Sequence, residues 1–187
     1  AASDVYKRQA VVDENTVGVT GVHPVPVDFV TGQIRSVLDD IGADAVKIGM
    51  LHSSELIRAV RETLAAYDIR NIVLDPVMVA TSGDRLLQEE AIATLQEELV
   101  PFVRVITPNI PEAEILLGRK IAGQEELPQV ARELSFGRKV SVLLKAGHLH
   151  DTELIDVFYN AETDKATPLR SCLLYTSPSP RDSTSSR

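Results

Sequence analysis

The segment Val103-Arg-Val-Ile-Thr-Pro-Asn-Ile-Pro-Glu112 joins an apolar run to a helical pattern. Val103 to Ile106 has the character of a buried strand, and 112–117 has the spacing of a short helix. Asn109 and Glu112 therefore lie where a strand ends and a helix begins, which is where α/β proteins bind ligands. An amide and a carboxylate at such a point can order a hydrated metal ion and the phosphate that it accompanies.

The same residues also fit a purely structural role. Thr107 or Asn109 can cap the helix, Pro111 suits an early helical position, and Glu112 is favoured near the positive end of the helix dipole. Taken alone, the segment does not separate a ligand site from a helix cap, so both interpretations stay open at this point.

Working outward, apolar runs alternate with amphipathic helical patterns along the chain. The predicted strands are 17–22, 45–50, 71–74, 103–106, 140–144 and 154–159, with a turn at 160–164. The predicted helices are 29–41, 54–67, 92–99, 112–117 and 127–134. Strands that read as continuous apolar runs between helices indicate a doubly wound, mostly parallel α/β sheet with helices on both faces.

The two ends of the chain can be encoded by DNA strings that are reverse complements of each other. The segment Asp4 to Gln9 can be encoded by a string whose reverse complement, read one base out of register, encodes Cys172 to Thr176. This string resembles a transposase adapter used in sequencing libraries. We therefore predict one partial domain over residues 10–170, truncated at both ends, with residues 1–9 and 171–187 derived from the adapter.

Composition excludes several classes of function. Of the 187 residues, 44% are hydrophobic and 25% charged, as in an ordinary globular domain, and no apolar run is long enough to cross a membrane. The net charge of -8, without a basic cluster, argues against nucleic acid or an anionic membrane as a partner. A single cysteine, Cys172, is compatible with a reducing, cytoplasmic location. The composition leaves a homo-oligomer open.

Polar groups follow three successive predicted strands. They are Asp75, the pair Asn109 and Glu112, and Lys145 with Gly147 close behind it, while Met50 ends an earlier strand. Each has an ordinary structural alternative: a turn for the aspartate, solvent exposure for the lysine, and core packing for the methionine. Together they favour phosphoryl transfer, because carboxylates suit Mg²⁺ held partly through water and a lysine suits phosphate oxygens.

These residues belong to motifs that resemble the hydroxymethylpyrimidine/phosphomethylpyrimidine kinases of thiamine biosynthesis, within the ribokinase-like superfamily. The motifs are Val12-Asp-Glu-Asn-Thr16, Lys47-Ile-Gly-Met-Leu51, Leu74-Asp-Pro-Val-Met78, Ser82-Gly-Asp84, Thr107-Pro-Asn-x-x-Glu-Ala113 and Lys145-Ala-Gly-His148. The resemblance implies ATP-dependent phosphorylation of a hydroxymethylpyrimidine and then of its monophosphate, with ATP and Mg²⁺ as cofactors.

The resemblance also implies roles for individual residues. Glu14, Met50 and Val77 would line the pyrimidine pocket, with Glu14 standing where the family commonly has glutamine. A second group would bind the phosphates, namely Asp75, Asn109, Glu112, Lys145 and Gly147. Within this group, the carboxylates of Asp75 and Glu112 would hold Mg²⁺ through water.

The family's glycine-rich turn with its catalytic residue is expected beyond Arg170. We therefore predict no catalytic residue within the chain and no useful activity of the chain by itself. Two alternatives remain at this stage, a pyridoxine/pyridoxal-type kinase and a non-catalytic pyrimidine-binding module.

Overall fold

The computed structural model describes residues 10–14, 19–79, 86–146 and 153–172. The strands are β1 (Ala10–Glu14), β2 (Val19–Pro24), β3 (Val46–Ile48), β4 (Ile72–Leu74), β5 (Val105–Ile106), β6 (Ser141–Leu144), β7 (Glu153–Asn160) and β8 (Lys165–Cys172). The α-helices are α1 (Val27–Asp40), α2 (Ser54–Ala66), α3 (Glu89–Thr94), α4 (Ile110–Leu117) and α5 (Leu127–Glu133). The predicted elements occur in the predicted type and order, with ends that differ by a few residues, but the strands β1 and β8 were not predicted.

Six strands form one mixed sheet in the order β3-β4-β5-β6-β7-β8. The pairs from β3 to β6 are parallel, and β7 and β8 add an antiparallel hairpin at one edge. A separate antiparallel hairpin is formed by β1 and β2. Within the described ranges the strand order does not reverse, so the parallel strands themselves, rather than a topological switch point, bring their carboxyl ends to one edge.

The core lies between one face of this sheet and the helices. Alternate strand residues are fully buried on this face, namely Ile72, Leu74, Ile106, Val142 and Leu144. Every described helix contributes to the same cluster, for example through Val30, Ile57, Ala91, Ala113 and Leu127. The opposite face carries residues that are only half-buried, among them Val73, Val105, Leu143 and Phe158. The described part of the chain therefore shows the helical layer of one face.

Local sequence signals account for the helix ends. The Ser53 hydroxyl caps α2 by accepting a hydrogen bond from the Leu56 N–H at 3.3 Å. Gly118 ends α4 in the left-handed region, with φ of 66°, a conformation that glycine adopts without steric cost. In the region predicted as helix 92–99, α3 passes into a π-helical turn at 95–99 and a 3₁₀ turn at 100–102. Pro101 has no N–H to continue the α-helical hydrogen bonds there.

Replacement of Ser53 by alanine is expected to lower the free energy of unfolding by about 1 kcal/mol, because the Leu56 N–H loses its acceptor. Chemical denaturation measures the difference. The matched control is Ser36→Ala, because the Ser36 hydroxyl lies on the exposed side of α1 and, within the described residues, donates back to the Gly32 carbonyl. That control should stay within about 0.5 kcal/mol of the parent. Equal losses in both variants would contradict the capping role of Ser53.

No helix among the described residues is long and apolar enough to cross a membrane.

Candidate active site

The carboxyl edge of the parallel sheet positions its polar residues through backbone hydrogen bonds. The ladder continues past the ends of the strands: the Asp75 N–H donates to the Ile48 carbonyl at 2.8 Å, and the Thr107 N–H donates to the Leu74 carbonyl at 2.9 Å. Lys145 pairs with Asn109 in a parallel bridge. These residues are therefore held by the sheet and not by a free loop.

Asp75 is the centre of a network of charged and polar side chains. Its Oδ1 atom accepts from the Lys145 Nζ at 2.9 Å and from the Thr107 hydroxyl at 3.0 Å. Its Oδ2 atom lies 2.9 Å from the Nζ of Lys47. The aspartate side chain is 18% exposed, and its carboxylate joins side chains associated with three other strands, β3, β5 and β6, at the edge of the crevice.

The surroundings of Asp75 favour its ionised form. Burial raises the pKa of this carboxyl, but hydrogen bonds from Lys145 and Lys47, the nearby charge of Lys145 and the Thr107 hydroxyl outweigh burial and hold its pKa below the usual value. The group is therefore a carboxylate at neutral pH. It can attract a cation or the ordered water of a hydrated cation.

Asn109 and Glu112 form a capping box at the start of α4. The Asn109 Oδ1 accepts from the Glu112 N–H at 2.9 Å, and the Glu112 Oε2 accepts from the Asn109 N–H at 2.9 Å. The structural interpretation of the opening segment is thereby confirmed. The capping box also fixes the Glu112 carboxylate near Asp75 and Lys145, whose charges both act on its pKa.

Glu112 is the most deeply buried carboxylate among the described residues, with 3% of the residue exposed. Burial raises its pKa, and this effect exceeds the lowering by the Asn109 N–H, by Lys145 and by the Met78 N–H, while the charge of Asp75 raises it further. The two carboxyl groups of this corner therefore differ in character. Asp75 gives up its proton readily, and Glu112 retains its proton to a higher pH.

The described residues fit a magnesium ion that keeps most of its water. Among them, no group of three or more His, Cys, Asp or Glu side chains could hold a metal ion directly. Mg²⁺ usually binds through one or two carboxylates, several waters and substrate phosphates rather than in an all-protein cage. The Asp75 side chain is 18% exposed and can meet a hydrated ion, whereas Glu112 is buried and its Oε2 accepts from the Asn109 N–H.

The structure describes the residues predicted for the pyrimidine pocket only in part. Met50 is half-buried and packs against the core, and Val77 is half-buried in the segment after Asp75. Glu14 ends β1 opposite Val19, next to an irregularity in the β1–β2 register. Gly147 lies outside the described residues, as does the side chain of Glu14. Their roles stay predictions.

Sequence reasoning missed two members of the network, Lys47 and Thr107. The signal for Lys47 was the alternation of side chains along a strand: Lys47 pairs with Val73, and Val73 and Asp75 point to the same face. Lys47 therefore shares a face with Asp75. Thr107 follows β5 in the same manner, since it lies two residues after Val105, the partner of Val73.

Two solved structures to which this chain is similar are small-molecule kinases. The chain is similar to a crystal structure of phosphomethylpyrimidine kinase from Clostridium difficile 630, with 36% identity, a TM-score of 0.74 and coverage of 86% of this chain and 68% of that one. It is also similar to pyridoxal kinase from Staphylococcus aureus in complex with ADP, with 29% identity, a TM-score of 0.75 and coverage of 90% and 61%. The fold is that of the ribokinase-like kinases.

The sequence identifies the family within this class. The family described as "Phosphomethylpyrimidine kinase" matches residues 8–172, and the chain belongs to this family. The hydroxymethylpyrimidine/phosphomethylpyrimidine kinase of Escherichia coli K12 is 43% identical over 157 residues, which make up 83% of this chain and 59% of that protein. The chain thus spans about three fifths of the length of this relative.

Proposed function

We propose that this chain supplies the phosphate-binding part of a kinase that uses ATP to phosphorylate 4-amino-5-hydroxymethyl-2-methylpyrimidine and then its monophosphate, in thiamine biosynthesis. The observation that carries the proposal is the Asp75 carboxylate, held by two lysines beside the buried Glu112 at the carboxyl edge of the sheet. The substrate is inferred from the related hydroxymethylpyrimidine/phosphomethylpyrimidine kinase of Escherichia coli K12 and the related phosphomethylpyrimidine kinase of Clostridium difficile 630. Such biosynthetic enzymes suggest a cytoplasmic setting for the protein.

The proposed contribution of these residues is electrostatic. Phosphoryl transfer depends mainly on positioning and on neutralising the charge of the transferred group. Lys145 is held beside Asp75 at 2.9 Å and presents an ammonium group to phosphate oxygens. Asp75 and, through water, Glu112 would orient Mg²⁺, and the bound ion would screen the negative charge of the ATP phosphates. Asn109 holds Glu112 in place through the capping box, and the Gly147 backbone would approach the phosphates.

The proposed pyrimidine pocket is formed by Glu14, Met50 and Val77. Met50 and Val77 follow β3 and β4 at the same sheet edge as Asp75, so they would contact the apolar ring face. The Glu14 carboxylate can accept a hydrogen bond from an amino group but cannot donate one while it is ionised. This property favours a substrate whose ring carries an amino group at the contacted position.

A two-substrate assay tests the proposed function. The full-length product of the source gene and the 187-residue chain are each incubated with Mg²⁺, ATP and either the hydroxymethylpyrimidine or pyridoxal. We expect ATP consumption by the full-length protein with the hydroxymethylpyrimidine and then with its monophosphate, at a kcat/KM well above that for pyridoxal. Preference for pyridoxal would replace the proposed substrate, and turnover of neither compound would contradict the proposed function.

A further inference from the structure

We propose that Lys47 is a phosphate-binding residue whose ammonium group pairs with Oδ2 of Asp75 until Mg²⁺ and phosphate bind, and then pairs with phosphate oxygens instead. The proposal rests on the proposed function, since it takes Asp75 as part of the phosphate and Mg²⁺ corner. It adds Lys47 to the residues of this corner and states that Lys47 exchanges Asp75 for phosphate as its partner.

The two oxygens of Asp75 have different environments. Oδ1 is shared by the Lys145 ammonium and the Thr107 hydroxyl, at 2.9 and 3.0 Å. Among the described contacts, Oδ2 is held by Lys47, at 2.9 Å. At Oδ2, an incoming cation or one of its waters therefore competes with one described group, the Lys47 ammonium.

The two lysines also differ in how firmly they are held. The Lys47 side chain is 66% exposed and that of Lys145 is 40% exposed. Among the described strands, β3, which carries Lys47, lies at one end of the sheet, whereas β6, which Lys145 follows, has a neighbouring strand on both sides. An ion pair with an exposed partner contributes little to stability, so breaking the contact of Lys47 requires little free energy. Lys47 is therefore the lysine that can exchange partners.

Charge balance gives the exchange its direction. With both carboxyl groups ionised, Lys47, Lys145, Asp75 and Glu112 have a net charge of zero. Without Lys47 the group would be negative, so it would attract Mg²⁺ more strongly and repel phosphate. Loss of Lys47 should therefore change cation binding and phosphate binding in opposite directions. Structural damage to the site would weaken both.

Calorimetric titration of the 187-residue chain with Mg²⁺ and, separately, with inorganic triphosphate tests the proposal. In Lys47→Met we expect Mg²⁺ to bind about threefold to tenfold more tightly and triphosphate to bind about tenfold more weakly than in the parent chain. Lys47→Arg keeps the charge and should restore triphosphate binding to within about threefold.

The matched control is Lys120→Met. Lys120 forms a comparable ion pair, at 2.6 Å, with Glu114, whose side chain is 17% exposed. Lys120 follows the C-terminal end of α4, whereas the site lies at the N-terminal end of this helix. This variant should leave both affinities unchanged. Parallel weakening of both ligands in Lys47→Met, unchanged affinities, or absence of binding by parent and variant alike would overturn the proposal. Failure of the proposed function would appear separately, as absence of phosphoryl transfer in the full-length protein.

Discussion

Replacement of Asp75 by asparagine is expected to lower kcat/KM for ATP-dependent phosphorylation in the full-length protein by about 10²–10³-fold, the usual effect of removing one preorganised electrostatic group. The substitution keeps the shape of the side chain and removes its charge. If the amide nitrogen takes the place of Oδ2, it faces the Lys47 ammonium, so two donors meet where a donor and an acceptor were paired. Steady-state kinetics at saturating Mg²⁺ measures the loss.

The control for this variant is Asp39→Asn. Asp39 accepts a hydrogen bond from the Tyr67 hydroxyl at 2.7 Å on the exposed side of α1, away from the sheet edge. Its replacement should leave kcat/KM within about twofold, since surface substitutions usually have small effects. Circular dichroism establishes that both variants fold. A folded Asp75→Asn protein with undiminished kcat/KM would remove Asp75 from the proposed mechanism.

Replacement of Glu112 by alanine is expected to lower the free energy of unfolding by about 1–3 kcal/mol, because the N–H groups of Asn109 and Met78 lose their carboxyl acceptor. The loss should also depend on pH. Burial raises the pKa of Glu112 above 4.5 in the folded chain, so the folded state holds this proton more tightly than the unfolded state. The contribution of Glu112 is therefore fully present below pH 4.5 and is lost as pH rises through the folded-state pKa.

Chemical denaturation between pH 4 and pH 8 measures this effect as the difference between parent and variant. Glu114, on the same helix, supplies a control of opposite sign. The hydrogen bond from Lys120 lowers the pKa of Glu114 below 4.5, so its contribution is present above that pH and lost as pH falls. The advantage of the parent over Glu112→Ala should shrink with rising pH, while its advantage over Glu114→Ala should grow. The same trend in both variants would contradict the assigned environment of Glu112.

Predictions from sequence succeeded where the signal was local. By residue type, Ser53 or Ser54 can cap the helix predicted over 54–67, and Ser53 does so by accepting from the Leu56 N–H. Gly118 directly follows the helix predicted over 112–117 and ends α4 with a positive φ. The turn after β7 was also predicted, and the Asn160 side chain accepts from the Glu162 N–H there. Each of these features depends on residues within a few positions of one another. Their geometry follows from the conformational preferences of the residues themselves.

Predictions were incomplete where distant strands cooperate. The role of Lys47 could not be identified from its own segment, where it is a single charge in an apolar run. Its partner Asp75 lies on the next strand, and the second lysine on Asp75 is 70 positions further along the chain. The strand order also had to be observed, because alternating helices and strands are compatible with several sheet topologies. The roles of Glu14 and Gly147 remain predictions.

By itself, the sequence determined the α/β class, the order of the predicted elements, a helix cap at Thr107 or Asn109, and the motifs of a pyrimidine kinase family. Tertiary structure alone decided that Lys47, Thr107 and Lys145 converge on Asp75, and that Glu112 is buried beside them. The physical reason is that capping and turn formation are governed by neighbouring residues. Ion pairing and desolvation depend on which strands lie side by side, and that is established only when the sheet assembles around its core.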